Sequence, residues 1–269
     1  MSTATLEAKA PSVARIAAVD QPIPMTRLVS VELRKMFNTR SGFWLMASIG
    51  IAAVLATGAT ILFAPDSELN QNNFSAAIGV PMTIILPMIA ILSVTSEWSQ
   101  RSGLTTFTLV PRRGRAIGAK VIATVGVGVV SMVIALAVGA LGNVLGSAIA
   151  GVDTVWNLSF QEFLLIVLAN VLGMMLGFML GLVLRNSSAA IVGYFVVAFV
   201  LAGIFAALAN FQDWFKDAWP WVDFNYAQGA LYNGDMGGAE WAHLGVTSLT
   251  WLIIPTAIGL RLVMRSEVK

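Results

Sequence analysis

Cysteine is absent from this 269-residue chain, which excludes disulfides, thiol catalysis and thiolate metal sites. One histidine, His243, stands alone, so the imidazole clusters that hold most transition metals are missing too. Charge is scarce. Asp, Glu, Lys and Arg make up 11% of the residues, against about 25% in soluble domains, too few for an aqueous surface. Also missing is GxxxxGK[ST], the phosphate-cradling loop of P-loop ATPases, which Gly118-Ala119-Lys120 imitates only at its end. What the chain has instead is apolar length: 57% of residues are hydrophobic and the mean hydropathy is +0.81.

The long uncharged runs define an all-α polytopic membrane protein, since about 20 apolar helical residues cross the hydrocarbon. Six transmembrane helices are expected at about 42–63, 74–95, 121–145, 160–184, 187–209 and 243–264. Residues 1–24, rich in Ala, Pro, Ser and Thr, lack the apolar core of a signal peptide and read as a disordered cytoplasmic tail; 266–269 form a second tail. Of the 16 Lys and Arg, all but Lys216 fall in the tails, the 25–40 segment, the 96–120 connection, the Arg185 turn and the end of the sixth span. Cations are retained on the inner side, so both termini are expected in the cytoplasm. The net charge of +2 says little beside that distribution.

Along the 25–40 segment, Met25, Val29, Leu33, Met36 and Phe37 fall at helical spacing, with Arg27, Ser30, Arg34, Lys35 and Asn38 on the other side. That pattern predicts an interfacial helix with its cations toward headgroups; the plainer reading is a positive flank of the first span. Phe43 and Trp44 anchor that span at its inner border. In the second span Pro81 and Pro87 each delete a backbone donor. They mark either a kinked, pathway-lining helix or ordinary membrane prolines. Gly126, Gly128, Gly139 and Gly142 in the third span suggest close helix contact. In the fourth, Gly173, Gly177 and Gly181 share one face, for packing within the subunit or for a dimer seam. Residues 210–242 hold Trp214, Trp219, Trp221 and Trp241 among Asp and Glu. Such a segment suits a position half-sunk in the outer interface, short re-entrant helices being one form of it, and is too short for a folded outer domain.

By this assignment no ionisable residue lies in mid-membrane; Glu97, Glu162 and His243 stand at span ends, within reach of water. No nucleophile meets a base, and no acids pair for intramembrane hydrolysis, nor do buried acids mark an ion-coupled pump. No catalytic residue and no cofactor is therefore expected in this chain.

The remaining feature is the polar island SEWSQRSGLTTFTLVPRRGRAIGAK, Ser96 to Lys120, with Arg101, Arg112, Arg113, Arg115 and Lys120. Glu97 to Thr108 contains no proline and can form a short surface helix, and Pro111 disfavours helix at Val110. Six spans, an inner interfacial helix, a short polar loop after the second span and an aromatic segment before the sixth resemble the permease subunits of ATP-binding-cassette exporters. The likeness is to their second, short-loop class and covers about Met25 to Arg265. That class tends to show a Glu at the inner end of the second span, then Gly, Thr, Leu, Pro, Arg and a Lys entering the third. Here those are Glu97, Gly103, Thr105, Leu109, Pro111, Arg113 and Lys120, with Leu104 separating Gly from Thr and three arginines where the family often has one.

The resemblance implies that the loop is a coupling helix seated in a cleft of a separate ATPase subunit. Glu97, Arg101, Gly103, Leu104, Thr105, Phe107, Leu109 and Arg113 would form that contact. It also implies ATP and magnesium on the partner, a second permease copy, the cytoplasmic membrane of a prokaryote, and no nucleic acid. Apolar walls with few fixed charges favour an amphipathic or lipid-like cargo, such as a drug, antibiotic or peptide, and an ion exporter of the same class would look alike. Two alternatives stand beside this: a scaffold or sensor that docks a cytoplasmic partner through the 96–120 loop, and a loop that is only topogenic.

Overall fold

The computed structural model describes residues 23–99, 113–234 and 236–265. The expected tails, all but their last two residues in the case of 1–24, and most of the expected coupling helix lie outside the described residues. Arg101, Gly103, Leu104, Thr105, Phe107 and Leu109 are among them, and so is the side chain of Arg113.

The protein is a helical, multi-pass membrane protein. A surface helix α1 (Met25–Asn38) leads into α2 (Arg40–Phe63), and a single 3-10 turn, Asp66–Glu68, joins that to α3 (Gln71–Ser99). Then follow α4 (Arg113–Ala150) and α5 (Phe160–Leu184). α6 (Ser187–Phe211) is followed by two short helices, α7 (Asp213–Val222) and α8 (Phe224–Asn233), and by α9 (Gly238–Met264). The six helices α2, α3, α4, α5, α6 and α9 are long and apolar enough to cross a membrane. One end of the bundle carries Arg34, Lys35, Arg40, Arg115, Arg185 and Arg261; the other carries Asp66, Glu68, Asp153, Glu162 and Glu240. These are the basic end and the acidic end below.

All the spanning helices but α5 outrun their expected bounds. α4 begins at Arg113 and reaches Ala150, so Lys120 is a helical residue and not the end of a loop. Its 38 residues make about 57 Å at 1.5 Å per residue, nearly twice a ~30 Å hydrocarbon core. α3 continues through Glu97 to Ser99, so Glu97 closes the spanning helix and does not open a separate one. α9 begins at Gly238, ahead of His243, and Asn210 and Phe211 belong to α6. Polar residues end a hydropathy window, yet backbone hydrogen bonding carries a helix past them wherever a neighbour packs alongside.

α3 is the centre of the bundle, packed on α2, α4 and above all α5. Its Phe74, Ile78, Met82, Leu86, Ile91 and Val94 are nearly inaccessible. The contact with α5 is close because of glycine. A Cβ on Gly177 would stand 2.6 Å from the Pro87 carbonyl oxygen, and one on Gly181 3.3 Å from that of Ile91. The Gly173–Gly177–Gly181 face is thus occupied within the subunit. In α4, Gly128, Gly139 and Gly142 meet Met174, Ile78 and Thr57, whereas Gly126 faces open space, against expectation. Helical spacing alone does not tell which stripe of a uniformly apolar helix meets protein.

α1 departs from its expected orientation. Leu28, Glu32 and Met36 are buried, while Phe37, expected on the apolar face, is half exposed. Met36 packs with Ala123 and Val127 of α4, and Arg115 donates to the Ile23 carbonyl at 2.6 Å. The long overhang of α4 supplies the surface on which α1 rests. Thr39 then caps α2 by accepting from Gly42 N at 3.1 Å.

Candidate functional site

Two buried clusters of polar side chains frame the candidate site, one at the basic end of α3 and one beside its middle.

At the basic end four charges meet. Lys120 Nζ donates to Glu32 Oε2 at 2.6 Å and lies 3.2 Å from Glu97 Oε1, the latter without hydrogen-bond geometry. Lys35 donates to Glu32 Oε1 at 2.7 Å and stands 3.7 Å from Glu97. Glu32, Glu97 and Lys120 are 7%, 5% and 2% exposed. Burying one such charge alone costs several kcal/mol, about what brings two opposite charges together. Two carboxylates against two ammoniums leave the cluster neutral. It joins α1, the last turn of α3 and the first turns of α4, so both stems of the 100–112 connection are fixed to one another and to the surface helix. Nearby, Thr124 Oγ1 donates to Ser93 Oγ at 3.1 Å, and Thr95 and Ser187 hydroxyls pair at 2.8 Å.

The expectation that water reaches Glu97 is therefore corrected: α1 and α4 cover it. Of the expected coupling residues, Glu97 is the one whose side chain the structure places, in the last turn of α3. Glu32 escaped the sequence reading. The available signal was an acid on the apolar side of α1, spaced four residues from both Leu28 and Met36.

The second cluster surrounds the tip of a helical hairpin. α7 descends against the end of α6, where Phe205 and Phe215 rings stand 5.9 Å apart, and α8 returns along α5. Trp251 Nε1 of α9 donates to the Val222 carbonyl at 2.8 Å, and Asn225 Nδ2 donates to the Val197 carbonyl of α6 at 3.0 Å. Trp251 lies roughly 20 Å along α9 from its acidic-end start, and Val197 as far along α6. The 210–242 segment is thus re-entrant to the middle of the bundle. Both flanking spans widen there into π-helix, Val196–Leu201 in α6 and Leu249–Ile253 in α9, a distortion often found at functional sites.

The tip also overturns the expectation of no ionisable residue at mid-depth. Asp223, 2% exposed, caps α8. Its Oδ1 accepts from Asn225 N at 2.9 Å and its Oδ2 from Trp219 Nε1 at 3.0 Å. A helix N-terminus offers a carboxyl group both donors and a favourable dipole.

Beside the tip is a cavity of about 220 Å³, bordered by Thr83, Pro87, Asn170, Gly173, Tyr194, Phe199, Asn225, Gln228 and Tyr232 among others. Pro87 has no N–H, so the carbonyl four residues earlier, Thr83, lacks its helical donor. Tyr194 Oη supplies one at 2.6 Å. Of the two prolines, Pro87 borders the cavity and Pro81 does not. Asn170 escaped the sequence reading, although it is the lone amide in FLLIVLANVLGMMLGF. Tyr194, Asn225 and Gln228 had no local signal, since their partners lie on other helices.

Among the described residues no group of three or more His, Cys, Asp or Glu is placed to hold a metal. No family model matches the chain, and no curated protein matches its sequence.

Proposed function

We propose that this chain is the permease subunit of an ATP-driven exporter of the short-loop cassette class. It carries an amphipathic or lipid-like cargo out across the cytoplasmic membrane with energy from a separate ATPase subunit. The basic end faces the cytoplasm. The observation that carries the reading is the buried Glu32–Lys35–Glu97–Lys120 cluster. A push on the 100–112 connection cannot be absorbed by splaying its stems, because the cluster holds them together. It passes instead into α3, whose middle borders the cavity. Glu97 is the least firmly held member, with an ion-pair distance but no hydrogen bond at Oε1, which suits a joint that must shift.

The test is co-purification with an ATPase and ATP-driven transport in reconstituted vesicles. Phe107→Ala, an apolar anchor in the connection, is expected to weaken ATPase binding about thirtyfold, the value of roughly 2 kcal/mol at an interface centre. Arg101→Ala, at the rim, should cost less and mainly change salt dependence. Glu97→Ala should leave binding intact but uncouple hydrolysis from transport. Wild-type transport in both Phe107→Ala and Glu97→Ala would refute the coupling role. Capture of a cytoplasmic protein without ATP-driven transport would favour the scaffold reading.

A second copy completes the pathway in this proposal. α2 and α6 are the least buried spans, both flank α3, and the competing Gly177 face is already filled by Pro87. Cysteines on the exposed face of α2 or α6, at Leu55 or Val200, are expected to crosslink in membranes. Crosslinking at neither would remove this seam.

A further inference from the structure

The side-chain amides in the walls of the cavity beside the hairpin tip carry a one-sided chemistry. Asn170 Nδ2 donates to the Ile166 carbonyl at 2.9 Å, Gln228 Nε2 to the Ala169 carbonyl at 2.6 Å, and Asn225 Nδ2 to the Val197 carbonyl at 3.0 Å. A backbone carbonyl can only accept, so these bonds fix which atom of each amide is nitrogen. Each amide that donates through its nitrogen keeps its oxygen as an acceptor, and Asn170, 3% exposed, has its Oδ1 buried with no partner. Tyr194 spends its proton on the Thr83 carbonyl and can otherwise only accept.

Among the described residues no charged side chain borders the cavity. Asp223, two residues from Asn225, has both oxygens engaged. An ion entering would lose its hydration without meeting a counter-charge, at a cost of several kcal/mol. An uncharged hydrogen-bond donor loses far less and satisfies acceptors that the fold leaves open. Size narrows the choice further. About 220 Å³ is below the ~300–1,000 Å³ of pockets that enclose drug-sized molecules, so the space takes a head and not a whole amphipath. Phe199, half exposed on the outer face of α6, borders the same cavity, and a tail can leave past it into the bilayer.

We propose that this cavity binds the uncharged, hydroxyl- or amide-bearing end of an amphipathic molecule, gripping its donors with the side-chain oxygens of Asn170, Asn225 and Gln228. The site deepens the exporter reading by naming the class of its cargo, and it rests on that reading only for the word cargo; binding itself needs no ATPase.

The experiment therefore uses the full chain alone, in lipid nanodiscs. The probe is a ten-carbon monoglyceride with a diazirine in its tail, and the labelled peptides are mapped by mass spectrometry. Saturable labelling of the 194–199 and 224–232 peptides is expected, displaced by unlabelled monocaprin. The dimethyl ether of monocaprin, decanoate and decylamine should each displace it at least tenfold less well. Asn170→Leu, nearly isosteric, is expected to weaken labelling about tenfold, the value of one hydrogen bond. It should do so without lowering the melting temperature, since it removes an unsatisfied polar atom. Gly173→Ala, whose added methyl would stand 3.3 Å from Gln228 Nε2, should weaken labelling by filling space. Equal displacement by the dimethyl ether would overturn the proposal, as would preference for decylamine or unchanged labelling in both folded variants. Loss of ATPase co-purification with labelling intact would instead refute the exporter reading and spare the site.

Discussion

At the basic end of the bundle polarity is handled by pairing full charges; at the hairpin tip it is handled by dipoles and one capped carboxyl group. The first arrangement ties three helices together, and each charge answers another, Glu97 Oε1 by ion-pair distance alone. The second satisfies backbone carbonyls beside a proline and in a π-helical turn, and next to them the Asn170 oxygen is buried with nothing to accept. Neutral pairing holds the stems together. Unspent acceptors beside a cavity make a receptive site. The two lie at different depths on the same helix, α3, through which a movement at one end reaches the other.

The contrast breaks most sharply at Lys120. Lys120→Met leaves Glu32 and Glu97 buried with only the half-exposed Lys35, and should cost about 3–5 kcal/mol. Thermal unfolding of the detergent-purified chain would show it. Adding Glu32→Leu restores charge balance and should recover most of the loss; if it does not, the cluster is not held by pairing. A smaller effect is expected at the tip. Tyr194→Phe removes the donor to the Thr83 carbonyl, but that carbonyl borders a cavity where water can replace the hydroxyl. A loss near the low end of about 1–3 kcal/mol is expected in the same assay. A loss as large as that at Lys120 would mean the tip is a structural keystone and not an adaptable site.

The spans were legible because twenty apolar residues have few other uses, and the glycines of α5 because a close helix approach admits little else. The basic-end cluster was half legible. Glu97 and Lys120 stood out as polar residues beside long apolar runs, but an acid on the apolar side of α1 gains meaning only once the overhang of α4 lies against it. Pro87 was visible and its consequence was not, since Tyr194, which caps the freed carbonyl, is 111 residues away. The depth of the hairpin could not be read either. Trp and Asp together suit a membrane surface, and only α5, α6 and α9 closing around Asp223 and Trp219 make a deeper seat.

The two π-helical turns have a consequence for how the chain tolerates editing. A π turn accommodates one residue more than the α-helical path would need, and each residue of an α-helix turns the axis by about 100°. The surplus is absorbed within the turn, so the helix on either side keeps the phase it would have without it. Deleting one residue within Val196–Leu201 would let α6 relax into a regular helix while the face that meets Phe215 stays in place. The loss would be local: the Val197 carbonyl would return to the helical ladder, and the Asn225 amide that now answers it would lose its partner. A deletion in the regular part of α6, where no residue is spare, would instead rotate everything beyond it by that angle and turn the hairpin's support toward lipid.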